Sequence, residues 1–277
     1  MFILLAVSVA WQSGLATQRT QSDASRLNET VLFSIDLLSR EIKQAGLINT
    51  VNASVNENNF CSTTSVGGVI AGINDPAKIS PATTGMNFTG TAVAVSNLSD
   101  AIRVRYYGED VNAGNVINGT EPTSDCLGNT VPNGTMVEDT LYVAPDTNNN
   151  NEPSLWCYTS NPNAGAPSQP MVAGVESLQI LYGEDLDADG IINHYVPWQL
   201  VQNPDNVLSV KVSIVARSAN AVSLGVPTGK IYYHFGSTYI DPTVGTAGTQ
   251  FADPGDKRLR LPQPLSTEIA VRNFSHC

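Results

Sequence analysis

The stretch from Met1 to Ala45 limits what this chain can fold into more than any other. It opens MFILLAVSVAW and runs on with neither a proline nor a cluster of turn residues. From Leu27 the apolar residues recur at helical spacing: Leu27, Val31, Ile35, Leu38, Ile42 and Ala45. Steps of three and four put them on one face of a helix. Arg26, Glu29, Asp36, Arg40, Glu41 and Lys43 fall mostly off that stripe, and Arg40 is spaced to pair with Asp36 one turn back. Gly46 follows the last stripe residue and is a natural stop. A helix of that length measures roughly 65 Å at about 1.5 Å per residue. We expect two helices in series: a bare apolar front half, and an amphipathic back half that something must cover.

The apolar opening supplies about half of the roughly 20 residues a membrane span needs. Two other readings fit it. One is the core of a secretory signal peptide, with Ser8, Ser13 and Gly14 near a cleavage point. The other is a hydrophobic helix whose first turns lie upstream of Met1. A signal peptide wants a basic stretch ahead of its core, and here the pattern continues unbroken into the amphipathic half. The last reading is therefore favoured.

The 277 residues suffice for a sizeable core. The formal net charge of -11 and pI of about 4.6 argue against nucleic acid as a partner, because phosphate binding needs clustered Lys and Arg. Only 14% of residues are charged, against about 25% in an average domain. Asn, Ser, Thr and Gly carry the surface instead, which suits an extracellular, loop-rich β protein. The four cysteines, Cys61, Cys126, Cys157 and Cys277, form no CxxC pair, so a zinc or thioredoxin-type motif is disfavoured. An even count in a secreted-type chain points to two disulfides, with three connectivities open; four reduced cysteines are the alternative. Cys126 with Cys157 is preferred, since the two are close in sequence and flank a strand pair. Cys61 with Cys277 then follows by elimination.

After the helix, Asn49 to Thr91 is rich in Asn, Thr, Ser and Gly. We expect it to pack across the helix or a sheet edge, anchored through Cys61. Strand signals then appear at Thr91–Val95 and at Ala101–Tyr107. The second alternates Ile102, Val104 and Tyr106 against Arg103, Arg105 and Tyr107. Asp110 to Glu138 is a polar excursion. Thr140–Val143 and Ser154–Thr159 read as a hairpin with an Asn-rich tip. Val175–Tyr182 reads as a strand because turn residues follow at once. Val207–Arg217 is the clearest strand, with Val210, Val212, Ile214 and Ala216 on one face and Ser209, Lys211, Ser213 and Arg217 on a wet one. Lys230–Phe235 is weaker, and Pro262 and Pro264 should break Arg258–Val271 into two edge pieces. The class is α+β: a long N-terminal helix, residues 1–46, packed on an antiparallel sheet in a head of residues 47–277.

This order of features resembles the type IV pilins, and within them the PilW kind of minor pilin. The phrases that carry the resemblance are FSIDLLSREIKQAGL at Phe33 to Leu47, NLSDAIRVRYYGED at Asn97 to Asp110, SLWCY at Ser154 to Tyr158 and VESLQILYGEDLDADG at Val175 to Gly190. SIVARS at Ser213 to Ser218 and LSTEIAVRN at Leu265 to Asn273 complete the set. The resemblance implies a non-catalytic subunit of the pilus tip that helps to prime assembly. Its helix would pack against other minor and major pilins. It would sit in the inner membrane before assembly and in the extracellular pilus afterwards, with a surface or tip adhesin as a further partner. The family's basic leader, cleavage-site glycine and helix glutamate would lie upstream of Met1. The alternatives are a pseudopilin of a type II secretion system, and a secreted calcium-dependent adhesin or carbohydrate-binding module using Trp156, Trp198 and Tyr239. An extracellular hydrolase has only paired acids in its favour.

Asp185, Asp187, Asp189 and Gly190 have the spacing of the first half of a calcium loop. Ile191 would add a carbonyl and Asn193 a side-chain ligand. Val196 stands where an EF-hand would place its closing Glu, so Glu184 or Asp205 would have to close a Ca2+ site; a metal-free hairpin turn is the alternative. Related minor pilins carry a similar Asp-Gly stretch. His194, His234 and His276 show no Ser or Cys partner at motif spacing. The sequons at Asn28, Asn97 and Asn118 are what an Asn-rich chain produces by chance.

Overall fold

The computed structural model describes residues 2–47, 68–74, 78–79, 93–94, 99–109, 123–187, 189–221, 229–240, 242, 249–256 and 258–271. Helix α1 runs without interruption from Phe2–Gln44. The expected pair of helices is thus one rod. Gly14, its one interior glycine, costs about 1 kcal/mol relative to Ala, too little to break a helix this long. The expected change of character survives as a change in burial. Trp11 and Leu15 are exposed, whereas Leu27, Val31, Leu38, Ile42 and Ala45 are buried and Ile35 is half-buried. Gly46 ends the helix with φ 71, and its N–H donates to the Arg105 carbonyl at 2.8 Å.

The head is built from strands β1 (Ile70–Ile73), β2 (Lys78–Ile79), β3 (Val93–Ala94), β4 (Ala101–Tyr107), β5 (Met136–Asp146), β6 (Glu152–Thr159), β7 (Ser168–Ala173), β8 (Val175–Glu184), β9 (His194–Val196), β10 (Val207–Ala221), β11 (Ile231–Tyr233), β12 (Gln250–Ala252) and β13 (Arg258–Ala270). They form a five-stranded sheet in the order β1-β4-β5-β6-β7 and a four-stranded sheet in the order β13-β10-β8-β9. Two short ladders, β2-β3 and β11-β12, are added. All pairs are antiparallel.

The two sheets meet at a corner made by Gly174, the single residue between β7 and β8. Its φ of 86 suits glycine, and an added Cβ would lie 2.9 Å from the Arg217 carbonyl. That carbonyl cannot retreat easily, because Arg217 N–H donates to the Gly174 carbonyl at 2.8 Å. A second clasp joins the start of β4 to the middle of β8. Asp100 N–H donates to the Leu178 carbonyl at 2.8 Å, and Asp100 Oδ2 accepts from Ile180 N–H at 2.8 Å. Every residue of β8 is buried as a result.

The core lies between α1 and the inner faces of both sheets. Leu37, Leu38 and Ile42 pack with Ile102, Val104 and Tyr106 of β4, Leu141 of β5, Leu178 and Ile180 of β8, and Val210, Val212 and Ile214 of β10. Higher up the helix, Leu27 and Val31 pack on Ala216 and Leu259. The expected faces of β4 hold for the arginines, Arg103 donating to Thr140 at 3.2 Å and Arg105 to Glu138 at 2.8 Å, but Tyr107, expected beside them, packs in the core cluster at the strand's end.

Three expectations need correction. The outer face of β10 is not wet throughout, since Ser209, Ser213 and Val215 are buried. The β11–β12 ladder covers part of it, with Tyr232 and Phe251 packed on Val215. The prolines do not divide β13, which is one edge strand. The register against β10 jumps between Val212↔Thr267 and Ile214↔Gln263, so a bulge absorbs Pro264. Arg40 bonds Glu41 at 3.2 Å rather than Asp36, because the buried Glu41 carboxyl needs a donor. The β5–β6 tip is the expected Asn turn, with Asn150 and Asn151 at φ 50 and 56. Within Asn49–Thr91, β1 does join a sheet edge, beside β4. The proposed anchor Cys61 lies outside the described residues, as does Cys277.

Candidate functional site

Among the described residues, chemistry is concentrated on the docked face of α1, in the aspartate turn after β8, and in a neck groove where the helix leaves the head.

On α1, the buried line includes two polar residues. Ser34 and Glu41 are both fully buried. Ser34 satisfies its hydroxyl on the Thr30 carbonyl at 2.7 Å. Glu41 was expected off the stripe and is on it. Its carboxyl faces the same interior as that of Asp139 on β5. Burial, then the Asp139 charge, push Glu41 well above the ordinary carboxylate range, although Arg40 pulls the other way. Asp139 accepts from Tyr106 Oη at 2.6 Å and from Cys126 N–H at 2.8 Å, both at Oδ2. A signal for Glu41 exists in the sequence: Leu27, Val31, Ser34, Leu38, Glu41 and Ala45 run in steps of four and three, a tighter seam than the stripe first drawn.

Cys126 and Cys157 are joined by a disulfide with Cα atoms 6.3 Å apart. Cys157 lies on β6, whereas Cys126 belongs to a turn rather than a strand. That turn is tied by Asp125, which accepts from the N–H groups of Leu127 and Asn129 and from the Asn161 amide. The disulfide and the Cys126–Asp139 hydrogen bond pin the turn beside the Glu41 pair.

The aspartate turn brings together Asp185, Asp187 and Asp189, whose ligand oxygens lie within 4.8 Å of one another. Asp185 is buried and the other two are exposed. Backbone amides already brace the turn. Asp185 accepts from Asp187 N–H at 3.2 Å and Gly190 N–H at 2.8 Å, and Asp189 accepts from Ile191 N–H at 2.7 Å. Asn193 Oδ1 accepts from Leu186 N–H. Gly190 has φ 85, as the sharp turn requires. The two candidates for a closing ligand are engaged elsewhere. Glu184 accepts from the N–H groups of Gln202 and Asn203 at 2.9 and 2.6 Å and faces His194 Nε2 at 3.0 Å. Asp205 lies over Gly68, where burial raises its pKa. The donor set fits a shallow cation site completed by water, not an enclosed one.

The remaining candidates are held in packing. His234 is buried, with Nδ1 3.0 Å from Ser213 Oγ and Nε2 3.0 Å from Ser177 Oγ. Burial lowers its pKa to about 4. It ties the β11 segment to β8 and β10. His276 lies outside the described residues, with the sequons at Asn97 and Asn118; Asn28 is exposed on α1. Trp156 donates to the Ala144 carbonyl at 3.0 Å, Trp198 sits edge-on to Tyr182 at 5.0 Å, and Tyr239 edge-on to Phe235 at 5.5 Å.

The neck groove, about 440 Å³, lies between α1 and the head. Asp23, Arg26 and Leu27 form one wall; Glu152, Arg217 and Arg258 form the other. Its cations are largely neutralised. Arg217 makes two bonds to Glu152 at 3.0 and 2.8 Å, and Arg258 adds another at 3.1 Å. Burial would raise the Glu152 pKa, but these two arginines hold it below the usual carboxylate range. Among the described residues, no helix is long and apolar enough to cross a membrane.

Comparison with known proteins places the chain further. Residues 140–273, from β5 through the end of β13, match the family described as Type IV Pilus-assembly protein W. No curated protein matches. A solved type IV-like pilin from Thermus thermophilus is similar at 15% identity, with a TM-score of 0.45, over 91% of this chain and 100% of that one.

Proposed function

We propose that this chain, whose residues 140–273 match the Type IV pilus-assembly W family, is a minor pilin that acts in pilus assembly at the filament tip. The family match supports a type IV pilus-related protein. The finer role rests on one structural observation: in the 43-residue helix Phe2–Gln44, among the side chains that are described, burial against the head begins at Leu27. The first half leaves Trp11 and Leu15 to solvent, and Leu32 and Phe33 remain exposed beside the docked stripe. An apolar surface of that kind on a rod suits packing against the helices of other minor and major pilins. The role is structural rather than catalytic. The chain would reside in the inner membrane before assembly and on the cell surface afterwards, and the head would meet any tip adhesin. Deleting the gene in its source organism should reduce surface pili, and gold-labelled antibody against the head should mark filament ends. Normal piliation without the gene would overturn the assembly role. Labelling along the whole shaft would overturn the tip placement.

We also propose that the Asp185–Asp189 turn takes Ca2+. What supports it is the convergence of three carboxylates, with the Ile191 carbonyl and Asn193 nearby in sequence to contribute. The expected effect of the ion is argued below.

A further inference from the structure

We propose that Glu41 of α1 and Asp139 of β5 share a single proton, and that this proton fastens the last turns of the helix to the head. Both carboxyls are fully buried and come from elements far apart in sequence. Asp139 alternates along β5 with Val137 and Leu141, which share the core with Leu38 and Ile42 of the helix, so its carboxyl and that of Glu41 face the same interior and act on each other directly. Two ionised carboxylates so placed, out of water, repel strongly. Among the described residues, Asp139 Oδ1 has no hydrogen-bond partner. A proton on Glu41 supplies the missing donor and removes the repulsion in one step.

The groups facing the pair agree with this. On α1, Arg40 bonds Glu41 Oε1 through Nε and Nη2 at 3.2 Å, but its side chain is 53% exposed, so its charge is screened. Gln44 reaches Glu41 Oε2 at 3.5 Å. On β4, Tyr106 donates to Asp139 Oδ2, and burial and the nearby acids push its own pKa far upward, so it remains a donor. From the disulfide-pinned turn, Asp125 adds negative charge near Asp139. From β6 the Thr159 hydroxyl also favours the charged form of Asp139, which with its donors at Oδ2 can stay ionised, whereas Glu41 is the better place for the proton. Burial raises both groups, and more so Glu41.

A carboxyl whose pKa is higher folded than unfolded stabilises the fold fully below its unfolded pKa. That contribution is lost as pH climbs through the folded value. The clamp is therefore closed in acid and at neutrality and opens towards alkaline pH. This concerns how the helix is held, so it stands apart from the pilus reading.

The test uses the full chain and Glu41→Gln, whose amide donates to Asp139 without a proton to lose. Urea unfolding of the wild type should weaken between about pH 5 and pH 8, the unfolding constant rising by up to about tenfold per pH unit. Glu41→Gln should lack that added slope. Amide exchange in Leu37–Gln44, corrected for intrinsic rates, should accelerate in the wild type at the alkaline end and not in the variant. Parallel pH profiles for the two proteins would overturn the proposal. Should the variant fail to fold, the infrared spectrum of the wild type decides. A protonated-carboxyl band at neutral pH is expected, and its absence would also overturn it.

Discussion

Arg260 on β13 reaches across β10 to Glu176 on β8, donating from Nε to Oε2 at 2.6 Å and from Nη2 to Oε1 at 3.0 Å. Both side chains are buried, and Arg260 also bonds Asp253 at 2.7 Å. Burial alone would weaken the guanidinium's hold on its proton, but Glu176 more than offsets it. The pair thus bridges the two strands that flank β10 and closes the sheet beneath the neck groove.

Removing Arg260 leaves the buried Glu176 with the weaker bond to Arg217 at 3.2 Å and takes from Asp253 its bond to Arg260, at a cost of up to about 3–5 kcal/mol. Arg260→Met should therefore lose stability of that order in urea titration. Adding Glu176→Leu should restore part of the loss, because the stranded carboxylate is gone. A single variant that unfolds at the wild-type urea concentration would show the bridge to be energetically idle.

Leu38 occupies the centre of the docked stripe and is fully buried. It packs in the cluster that contains Ile102, Leu141 and Val212. Leu38→Ala removes that contact and leaves a cavity, costing about 2–5 kcal/mol. Leu32→Ala, on the exposed face of the same helix, should change stability little. Equal losses in the two variants would mean that the helix is docked through another face.

The contrast between those two leucines was readable from spacing alone, because a helix with one covered face must repeat its apolar residues every three or four positions. Glu41 was not, since a charged residue is taken for a surface residue unless its partner is known. That partner, Asp139, lies in a strand nearly a hundred positions away. The outer face of β10 misled for the same reason. Its serines alternate as on a wet sheet, yet Ser213 donates to the His234 carbonyl at 2.7 Å beneath a ladder from later in the chain. Pro262 and Pro264 did announce an edge, because proline lacks the N–H a central strand needs. Their continuity depends on a bulge that the partner strand sets. In the aspartate turn, the Asp-Gly pattern foretold the geometry. The engagement of Glu184 with Gln202 and Asn203 depends on a fold-back that local spacing does not encode.

The aspartate turn should respond to calcium. Asp187 and Asp189 are exposed and already close to Asp185, so like charges are held together by a turn that backbone amides brace. A cation that binds only this folded arrangement stabilises it by mass action. Millimolar Ca2+ should raise the melting temperature and chelator should lower it. Mg2+ should act less, because it retains its waters and demands octahedral geometry. Asp187→Ala should remove the calcium response and leave the metal-free protein nearly as stable. A melting curve indifferent to millimolar Ca2+ would reduce the site to a turn, without touching the pilus reading.

His234 makes the fold sensitive to acid. Its ring is held neutral between Ser177 and Ser213, and burial lowers its pKa from 6.5 to about 4. In the unfolded chain the same ring takes up a proton near its ordinary value. The unfolded state therefore binds more protons across that interval, and stability falls as pH drops from about 6.5 towards 4. The swing amounts to roughly 3 kcal/mol for a ring this deeply buried. It runs opposite to the Glu41 clamp, and the two windows overlap between about pH 4.5 and 6.5, where they largely offset one another, so stability should fall off on either side of that interval. His234→Gln keeps a donor and an acceptor in the same place but cannot titrate. Its stability should fall less than the wild type's over the acid interval, both being measured by urea unfolding at fixed ionic strength. Identical losses in the two proteins would assign the acid sensitivity to carboxylates elsewhere and leave His234 as a tie between strands with no part in it.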